Sequence, residues 1–354
     1  MKKNIKRILT FNFINWFMVF IPVAVPFFKS KGLTMEQVYQ LQALFSLVLV
    51  LFEIPSGYLS DMWGRKKTLV ISSIFSSIGG VFLVLADNYI FLMIFEVLAG
   101  IGLSLKSGTD LSILYDSATA NNNSSAEKKS LMSKFIFVNL TSETLASVLG
   151  GLLAFYSIEW TVWAYVIKNF LAFIPLIGIV EPSRQKMAKG QHFLNFKKIL
   201  KFIRYGDELI FLIFMILAIY GLSTFIVVWA YQHVWEEVGV SVIYFGFIWA
   251  ALNLVTAIVG RIVPYLEEEY GAKKLIVLLG ILPVIGYLGF SFVHSWPVIL
   301  FGVLFSVARA INSVLLRESF NSRIPSEFRA TANSLNQFLF RFAFIGVGPL
   351  AGYL

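Results

Sequence analysis

A polar interruption between two long apolar runs reads Gly57-Tyr58-Leu59-Ser60-Asp61-Met62-Trp63-Gly64-Arg65-Lys66-Lys67. Gly57 lets two helices approach closely and Gly64 closes a tight turn, because glycine has no side chain. Three basic residues follow this turn, and Asp61 is the acid that can pair with them. The stretch therefore predicts a tight loop between two membrane helices, held by its positive charges at the anionic inner surface of the bilayer.

Composition indicates the solvent in which this chain folds. Of its 354 residues, 58% are hydrophobic and only 14% are charged, and the mean hydropathy is +0.77. So little polar surface cannot cover a soluble globule of this size. We therefore predict an all-α polytopic membrane protein.

Several classes of chemistry find no support. The chain has no cysteine, and His192, His233 and His294 are scattered without ligand spacing, so we expect no metal site and no cofactor. No G-x-x-x-x-G-K-[ST] loop occurs, and no catalytic constellation has a defined spacing, so we expect no enzyme. The net charge of +9 lies in short clusters between apolar runs, which argues against a nucleic-acid partner.

A window of about 20 apolar residues finds about eleven candidate spans. They lie at residues 9–29, 38–59, 68–87, 89–115, 131–157, 160–181, 209–232, 240–262, 275–293, 296–317 and 331–352. The first resembles a signal peptide, but its apolar run is too long and no cleavage site follows it. We interpret it as an uncleaved first helix.

The distribution of lysine and arginine predicts a cytoplasmic amino terminus. This orientation places on the inner side Lys2, Lys3, Lys6, Arg7, the loop from Arg65 to Lys67, Lys128, Lys129, Lys134, the group from Arg184 to Arg204, Lys273, Lys274, Arg323 and Arg329. Among the loop residues, only Lys29 and Lys31 fall outside. We therefore expect a multi-pass protein of the cytoplasmic membrane, in contact with the lipid bilayer.

The longest polar interruption divides the chain into two predicted bundles. Residues 1–181 form an amino-terminal bundle of six helices, 182–208 a cytoplasmic linker, and 209–354 a carboxyl-terminal bundle of five. The linker has the pattern of a basic amphipathic helix on the inner leaflet, with Phe193, Phe196, Ile199, Leu200 and Ile203 on one face and Lys197, Lys198, Lys201 and Arg204 around it. The alternative is a tether with no further role.

An internal repeat supports two related halves. Tyr265, Leu266, Glu268, Gly271, Lys273 and Lys274 repeat the spacing of Tyr58, Leu59, Asp61, Gly64, Lys66 and Lys67. The second copy is degraded, because Pro264 and Ala272 replace a glycine and an arginine. The repeated spacing therefore predicts that the two halves are related to each other.

The pattern G-x-L-x-D-x-x-G-R-K-K resembles the loop between helices 2 and 3 of the major facilitator superfamily of secondary transporters, in a poorly characterised bacterial subgroup. The resemblance implies two six-helix bundles, which are parallel repeats related by a pseudo-two-fold axis along the membrane normal and which rock about a central site by alternating access. It also implies that the loop latches the cytoplasmic side in the outward-open state, and that Asp110 or Asp116 supports Arg65. The gate motif would thus comprise Gly57, Asp61, Gly64, Arg65, Lys66, Lys67, Asp110 and Asp116.

Some features depart from the family pattern. Glu96 precedes Gly100 and Gly102 where many members carry an arginine, and Gly150-Gly151 lacks the G-P-x-x-G-G signature of drug/proton antiporters. Both departures argue against a drug exporter of that type. The sequence stops after the eleventh predicted span, so helix 12 is missing; we interpret this as truncation, the alternative being a genuine eleven-helix protein.

Charges within the spans are the remaining signal for mechanism, since each costs about 2.5 to 3.5 kcal/mol at the bilayer centre. Glu143 is a candidate proton carrier, because a buried carboxyl can load and release a proton during transport. The alternative is a structural salt bridge with Lys168 on the next helix. Glu96 is a second proton-coupling candidate. Lys106 and Asp110, four residues apart, most simply neutralise each other.

Arg309 and Arg341 each need an anion, a carbonyl cage or water, because guanidinium groups stay charged. Either they pair with Glu96 or Glu143 across the cavity, or they bind an anionic substrate. Since helices 1, 4, 7 and 10 line the cavity in the family, the resemblance favours Arg309 as the substrate-facing residue. The weaker cavity candidates are Asn12, Asn15, Trp16 and Trp229.

Three functions remain open. The first is a proton-coupled antiporter that exports a small, partly lipophilic molecule, acts as a monomer and uses the proton as coupling ion. The second is an organic-anion symporter or exchanger that uses Arg309 and Arg341. The third is a non-transporting membrane sensor built on a transporter fold.

Overall fold

A computed structural model of the chain describes residues 1–182, 191–325 and 328–353. The helices of the first half are α1 (Lys2–Asn15), α2 (Ala24–Ser30), α3 (Met35–Trp63), α4 (Arg65–Val84), α5 (Tyr89–Lys106), α6 (Thr109–Thr119), α7 (Ser125–Tyr156), α8 (Ile158–Leu171) and α9 (Phe173–Ile177). Those that follow are α10 (Gln191–Tyr205), α11 (Glu208–Glu237), α12 (Val242–Tyr270), α13 (Ala272–Phe292), α14 (Ile299–Ile311), α15 (Arg317–Arg323) and α16 (Arg329–Tyr353).

The helix lengths agree with the predicted all-α membrane protein. Among the described residues, nine helical segments are long and apolar enough to cross a membrane, and they match the second to tenth predicted spans. The predicted span at 331–352 lies within α16, which is 25 residues long and carries Arg341. The first predicted span does not correspond to any of these nine segments.

This first span is not one continuous helix. Helix α1 ends at Asn15, a short 3-10 turn covers Ile21–Val23, and α2 begins at Ala24. Pro22 contributes to the break, because proline has no N–H to donate along a helix. The predicted first span is therefore divided into two helices, α1 and α2.

Two further membrane segments have irregular backbone, one between α5 and α6 and one between α14 and α15. Ser107 and Gly108 separate α5 from α6, and Gly108 adopts a positive φ of 75°. A π-helical segment, Asn312–Leu316, joins α14 to α15. Irregular backbone of this kind inside membrane proteins is tolerated where it is enclosed by protein or lines a cavity, and π-helical segments are frequent at functional sites.

The glycine turns agree with the predicted repeat. Gly64 joins α3 to α4 with φ 101° and ψ 143°, and Gly271 joins α12 to α13 with φ 83° and ψ 148°. Only glycine adopts this region without strain. The predicted tight turn at Gly64 is therefore confirmed, and the backbone repeats it in the second half.

The two halves meet along two pairs of helices, α3 with α16 and α7 with α12. Helix α10 forms in the predicted linker, but Ile199 and Ile203 are buried in the core of the second half, in the same apolar cluster as Ile210 and Leu275. This part of the apolar face therefore covers protein and does not lie on the leaflet, whereas Leu200 is exposed. The side chains predicted at 193, 196 and 197 lie outside the described residues.

Candidate functional site

Glu143 of α7 connects the two halves. Its Oε1 atom accepts hydrogen bonds from Nδ2 of Asn253, at 3.2 Å, and from Nε1 of Trp249, at 3.4 Å, both on α12. The predicted alternative, a salt bridge with Lys168, is wrong, because the Lys168 ammonium instead donates to the main-chain oxygen of Asn15 at 2.8 Å. Within the described part of the chain, the carboxyl group thus has no cationic partner on its own half and is held by neutral donors across the interface.

Asn253 extends this contact to Arg309. Its Oδ1 atom accepts a hydrogen bond from Nη1 of Arg309, at 3.3 Å, while its Nδ2 atom donates to Glu143. The amide therefore joins an acid of the first half to a base of the second. Sequence reasoning missed Asn253, although an asparagine within an apolar span was a usable signal.

Arg341 lies in an aromatic cage and forms no ion pair within the described residues. Its guanidinium carbon is 6.0 Å, 5.4 Å and 5.2 Å from the ring centroids of Phe45, Phe225 and Phe340. Its Nη1 atom is buried and has no hydrogen-bond partner within the described part of the chain. Aromatic faces stabilise a cation by their quadrupole, but they leave the N–H donors of this group available.

Glu96, the second proton-coupling candidate, is bound within the first half. It is 4% exposed, and its Oε1 atom accepts a hydrogen bond from Nε2 of Gln42 at 2.7 Å. In the described residues neither Arg309 nor Arg341 forms an ion pair with it. Of the two proton-coupling candidates, Glu143 is therefore the one that contacts the other half.

Basic side chains surround the breaks in the first and fourth membrane segments. Lys168 caps the carboxyl end of α1 at Asn15, where the helix dipole favours a cation. Lys106 lies over the ring of Trp16, with 5.2 Å between its Nζ atom and the ring centroid, and pairs with Asp110 at 3.4 Å. The predicted neutralising pair is confirmed, and it spans the break between α5 and α6.

The other three residues predicted to line the cavity, Asn12, Asn15 and Trp229, each have a different environment. Asn12 is fully buried, with Nδ2 bonded to the oxygen of Ile8 and no partner for Oδ1 among the described residues. Asn15 contributes its main chain to the Lys168 contact. Trp229 is 6% exposed and packs in an apolar cluster with Phe20 and Phe344, so it closes the interface between the halves.

In the gate motif, Arg65 forms an ion pair with Asp116 and also donates to the oxygen of Ser112 at 2.8 Å. Of the two acids proposed for Arg65, Asp116 is therefore its partner. The main-chain N–H groups of Arg65 and Lys66 donate to the two oxygens of Glu181, each at 2.8 Å. This bidentate cap on α4 was not foreseen.

Lys66 also turns towards protein, because its ammonium donates to the oxygen of Ile177 at 3.1 Å. Lys67 is exposed, and Gly57 and Asp61 are partly buried. The motif thus fixes the ends of three membrane segments to one another, and Lys66 does not serve as the lipid contact that the sequence suggested.

The halves are sealed at the end where α2 meets α11. Lys29 pairs with Glu236 at 2.7 Å, the N–H of Val25 donates to Oε1 of Gln232 at 2.9 Å, and Nε2 of Gln232 donates to the oxygen of Ile21 at 3.0 Å. By the predicted orientation, this is the outer end.

At the opposite end, α7 and α12 separate. Ser147 and Gly151 of α7 touch α12, whereas Ile136 and Leu140, on the same helical face, are 58% and 43% exposed. The molecule is therefore closed at the end that carries Lys29 and open along α7 at the end that carries the amino terminus.

The sequence and the fold identify the family. A family profile described as Major Facilitator Superfamily matches residues 8–349. The chain therefore belongs to the major facilitator superfamily, a class of membrane transporters, and its fold is that of two related helix bundles. A search of curated protein sequences gave no significant match.

Solved structures with the same fold include transporters of different kinds. A variant of the nucleoside transporter NupG superposes with a TM-score of 0.81 at 10% identity, covering 98% of this chain and 89% of that one. A D-xylose-proton symporter gives 0.73 at 17%, covering 98% and 88%. A bacterial homologue of the human lysosomal transporter Spinster, inward-facing and unoccupied, gives 0.74 at 17%, covering 98% and 80%.

Proposed function

We propose that this protein is a proton-coupled secondary transporter that exports a small, partly lipophilic molecule across the cytoplasmic membrane by alternating access. The amino terminus lies in the cytoplasm, residues 1–181 and 209–354 are the two moving bundles, and the monomer is the working unit. The observation that carries the proposal is the hydrogen bonding of Glu143 to Asn253 and Trp249 across the interface between the bundles.

This contact can couple a proton to a conformational change. N–H donors bind an ionised carboxylate more strongly than a neutral carboxyl group. With the outer end closed, Asn253 and Trp249 donate to Glu143, and the proton that Glu143 has carried leaves to the open inner side. Opening the outer end would separate α7 from α12, break both bonds and let Glu143 take up a proton from outside. That sequence of events is proton-driven export.

The test uses protein reconstituted in liposomes that contain a pH-sensitive dye, challenged in turn with lipophilic cations, sugars and organic anions. We expect one class to evoke proton movement, and Glu143→Gln, which keeps the shape of the side chain, to reduce it by about tenfold or more. The matched control is Glu269→Gln, an exposed glutamate of α12. Substrate-evoked proton movement that survives in Glu143→Gln would refute the role of Glu143.

Arg341 supports a second candidate, an organic-anion symporter or exchanger. Its buried Nη1 donor lacks a partner in the described residues, and an anionic substrate group would supply one. Uptake or exchange of organic anions without proton movement, lost in Arg341→Gln, would favour this candidate. If no substrate class evoked transport or proton movement, the result would favour a non-transporting sensor.

A further inference from the structure

A groove lies between α1 and α7 near the first residues of α1. Its volume is about 540 Å³, and its lining includes Lys2, Lys6 and Lys134 with Leu9, Phe13 and Val138. The three lysines are exposed, while Leu9 is buried and the other two apolar side chains are partly buried. The groove thus has a basic rim and an apolar floor.

Among the residues that the structure describes, no acidic side chain lines the groove to compensate the positive charge of the rim. In the ranges 1–182, 191–325 and 328–353, none of the three lysines takes part in an ion pair. Three ammonium groups at one site attract an anion, and each basic residue near an anionic membrane surface strengthens the attraction.

Charge and apolarity are ordered along the helix axis. Lys2 and Lys6 lie in the first two turns of α1, and Phe13 lies eleven residues after Lys2, or roughly 16 Å deeper at 1.5 Å per residue. A ligand that fits this order has a negative group at the membrane edge and an apolar portion that points towards the membrane interior.

The groove faces away from the interface between the bundles. Val138 precedes Ser147 of α7 by nine residues, which places the two on opposite sides of a helix with about 3.6 residues per turn. Ser147 touches α12 at Gly246, and Leu145 and Leu149, on the side of Val138, are 52% and 37% exposed. The groove therefore opens towards lipid and is separate from the site around Glu143.

We propose that this groove binds an acidic phospholipid from the leaflet at the amino-terminal end of the chain. The phosphate contacts Lys2, Lys6 and Lys134, and one acyl chain lies on Phe13 and Val138. The bound lipid touches α1 and α7 together, and α7 is the helix that carries Glu143.

The experiment titrates the full chain in detergent with dioleoyl phosphatidylglycerol or dioleoyl phosphatidylcholine and counts bound lipids by native mass spectrometry. One variant combines Lys2→Gln, Lys6→Gln and Lys134→Gln. Its matched control combines Lys198→Gln, Lys201→Gln and Lys274→Gln, three exposed lysines elsewhere. A third variant, Val138→Trp, fills the groove and leaves its lysines in place. Size-exclusion chromatography and circular dichroism verify that each variant is folded.

We expect the first variant to weaken phosphatidylglycerol binding by about tenfold or more, the control to change it by less than about twofold, and phosphatidylcholine to bind weakly throughout. Val138→Trp should also weaken the binding of phosphatidylglycerol, because the larger side chain occupies the part of the groove in which the acyl chain lies. Equal losses in the two lysine variants, or unchanged binding in Val138→Trp, would overturn the proposal. Competition by inorganic phosphate as strong as by lipid would replace it with a site for a free anion.

Discussion

Gly246 of α12 lies directly against Gly151 of α7. A methyl group added at Gly246 would come 2.7 Å from the main-chain nitrogen of Gly151 and 2.0 Å from the oxygen of Ser147, and one added at Gly151 would come 2.4 Å from the oxygen of Ile243. Main chains approach this closely only where both side chains are missing. The two bundles therefore close upon each other at a pair of glycines.

Gly246→Ala should force α12 away from α7 and shift the protein towards the state that is open at the Lys29 end. Because the chain has no cysteine, spin labels can be placed at Asp87→Cys and His294→Cys, in exposed loops of the two halves at that end. We expect the distance between the labels to increase. The control is Gly280→Ala, since no atom of the described residues lies within 4 Å of a methyl group there. Identical distances in the two variants would contradict this prediction.

Lys29→Gln should weaken the same closed end, but only modestly. The Lys29 and Glu236 side chains are 31% and 34% exposed, so solvent screens their attraction. An exposed pair of this kind contributes about 0.2 to 1 kcal/mol, or at most about fivefold in the ratio of the two conformations. A double-mutant cycle with Glu236→Gln, read from the label distances at low and high salt, measures the coupling. A coupling that salt does not reduce would show that screening is unimportant at this site.

Asn253→Leu should uncouple Glu143 from Arg309 while Trp249 still reaches the carboxyl group. Loss of a buried hydrogen-bond partner costs about 1 to 3 kcal/mol, so we expect coupled transport to fall by roughly fivefold to a hundredfold. Asn321→Leu, a substitution of the same kind in α15, is the comparison. If substrate-driven proton flux in Asn253→Leu equals that of the unsubstituted protein, the bridge through Asn253 has no role in coupling.

Glu181→Ala should lower stability by about 1 kcal/mol, the usual value for loss of a helix cap, because the first N–H groups of α4 lose their acceptors. Glu181→Gln should lose less, since one amide oxygen can still accept. Thermal unfolding in detergent measures both, with exposed Glu269→Ala as the control. An unchanged midpoint in Glu181→Ala would mean that water replaces the cap without loss.

Asp61→Asn should favour the inner-open state, opposite in direction to Gly246→Ala, because the family resemblance assigns Asp61 to the latch of the outward-open state. The labels at positions 87 and 294 should therefore come closer on average, and the transport rate should fall. Should neither the distance distribution nor the rate change, the latch role of Asp61 is wrong.

The sequence by itself determined the class of protein and the local features of the fold. Apolar runs of membrane length indicate spans because the bilayer admits little else, and Gly64 predicts a tight turn because other residues are strained at positive φ. The pairing of Lys106 with Asp110 follows from a spacing of four residues, which survives the break between α5 and α6. Each of these inferences depends on groups that are neighbours along the chain.

Only the tertiary structure decided which distant groups meet. Glu143 could pair with Lys168 or with a partner in the other half, and the packing of α7 on α12 brings Asn253 and Trp249 to it, more than a hundred residues away. The same holds for Glu181 on α4 and for the aromatic cage of Arg341. The depth of a charge in a span can be read from its position, but its partner depends on helix rotation and contact. Those are set by the summed packing of many side chains across the two halves.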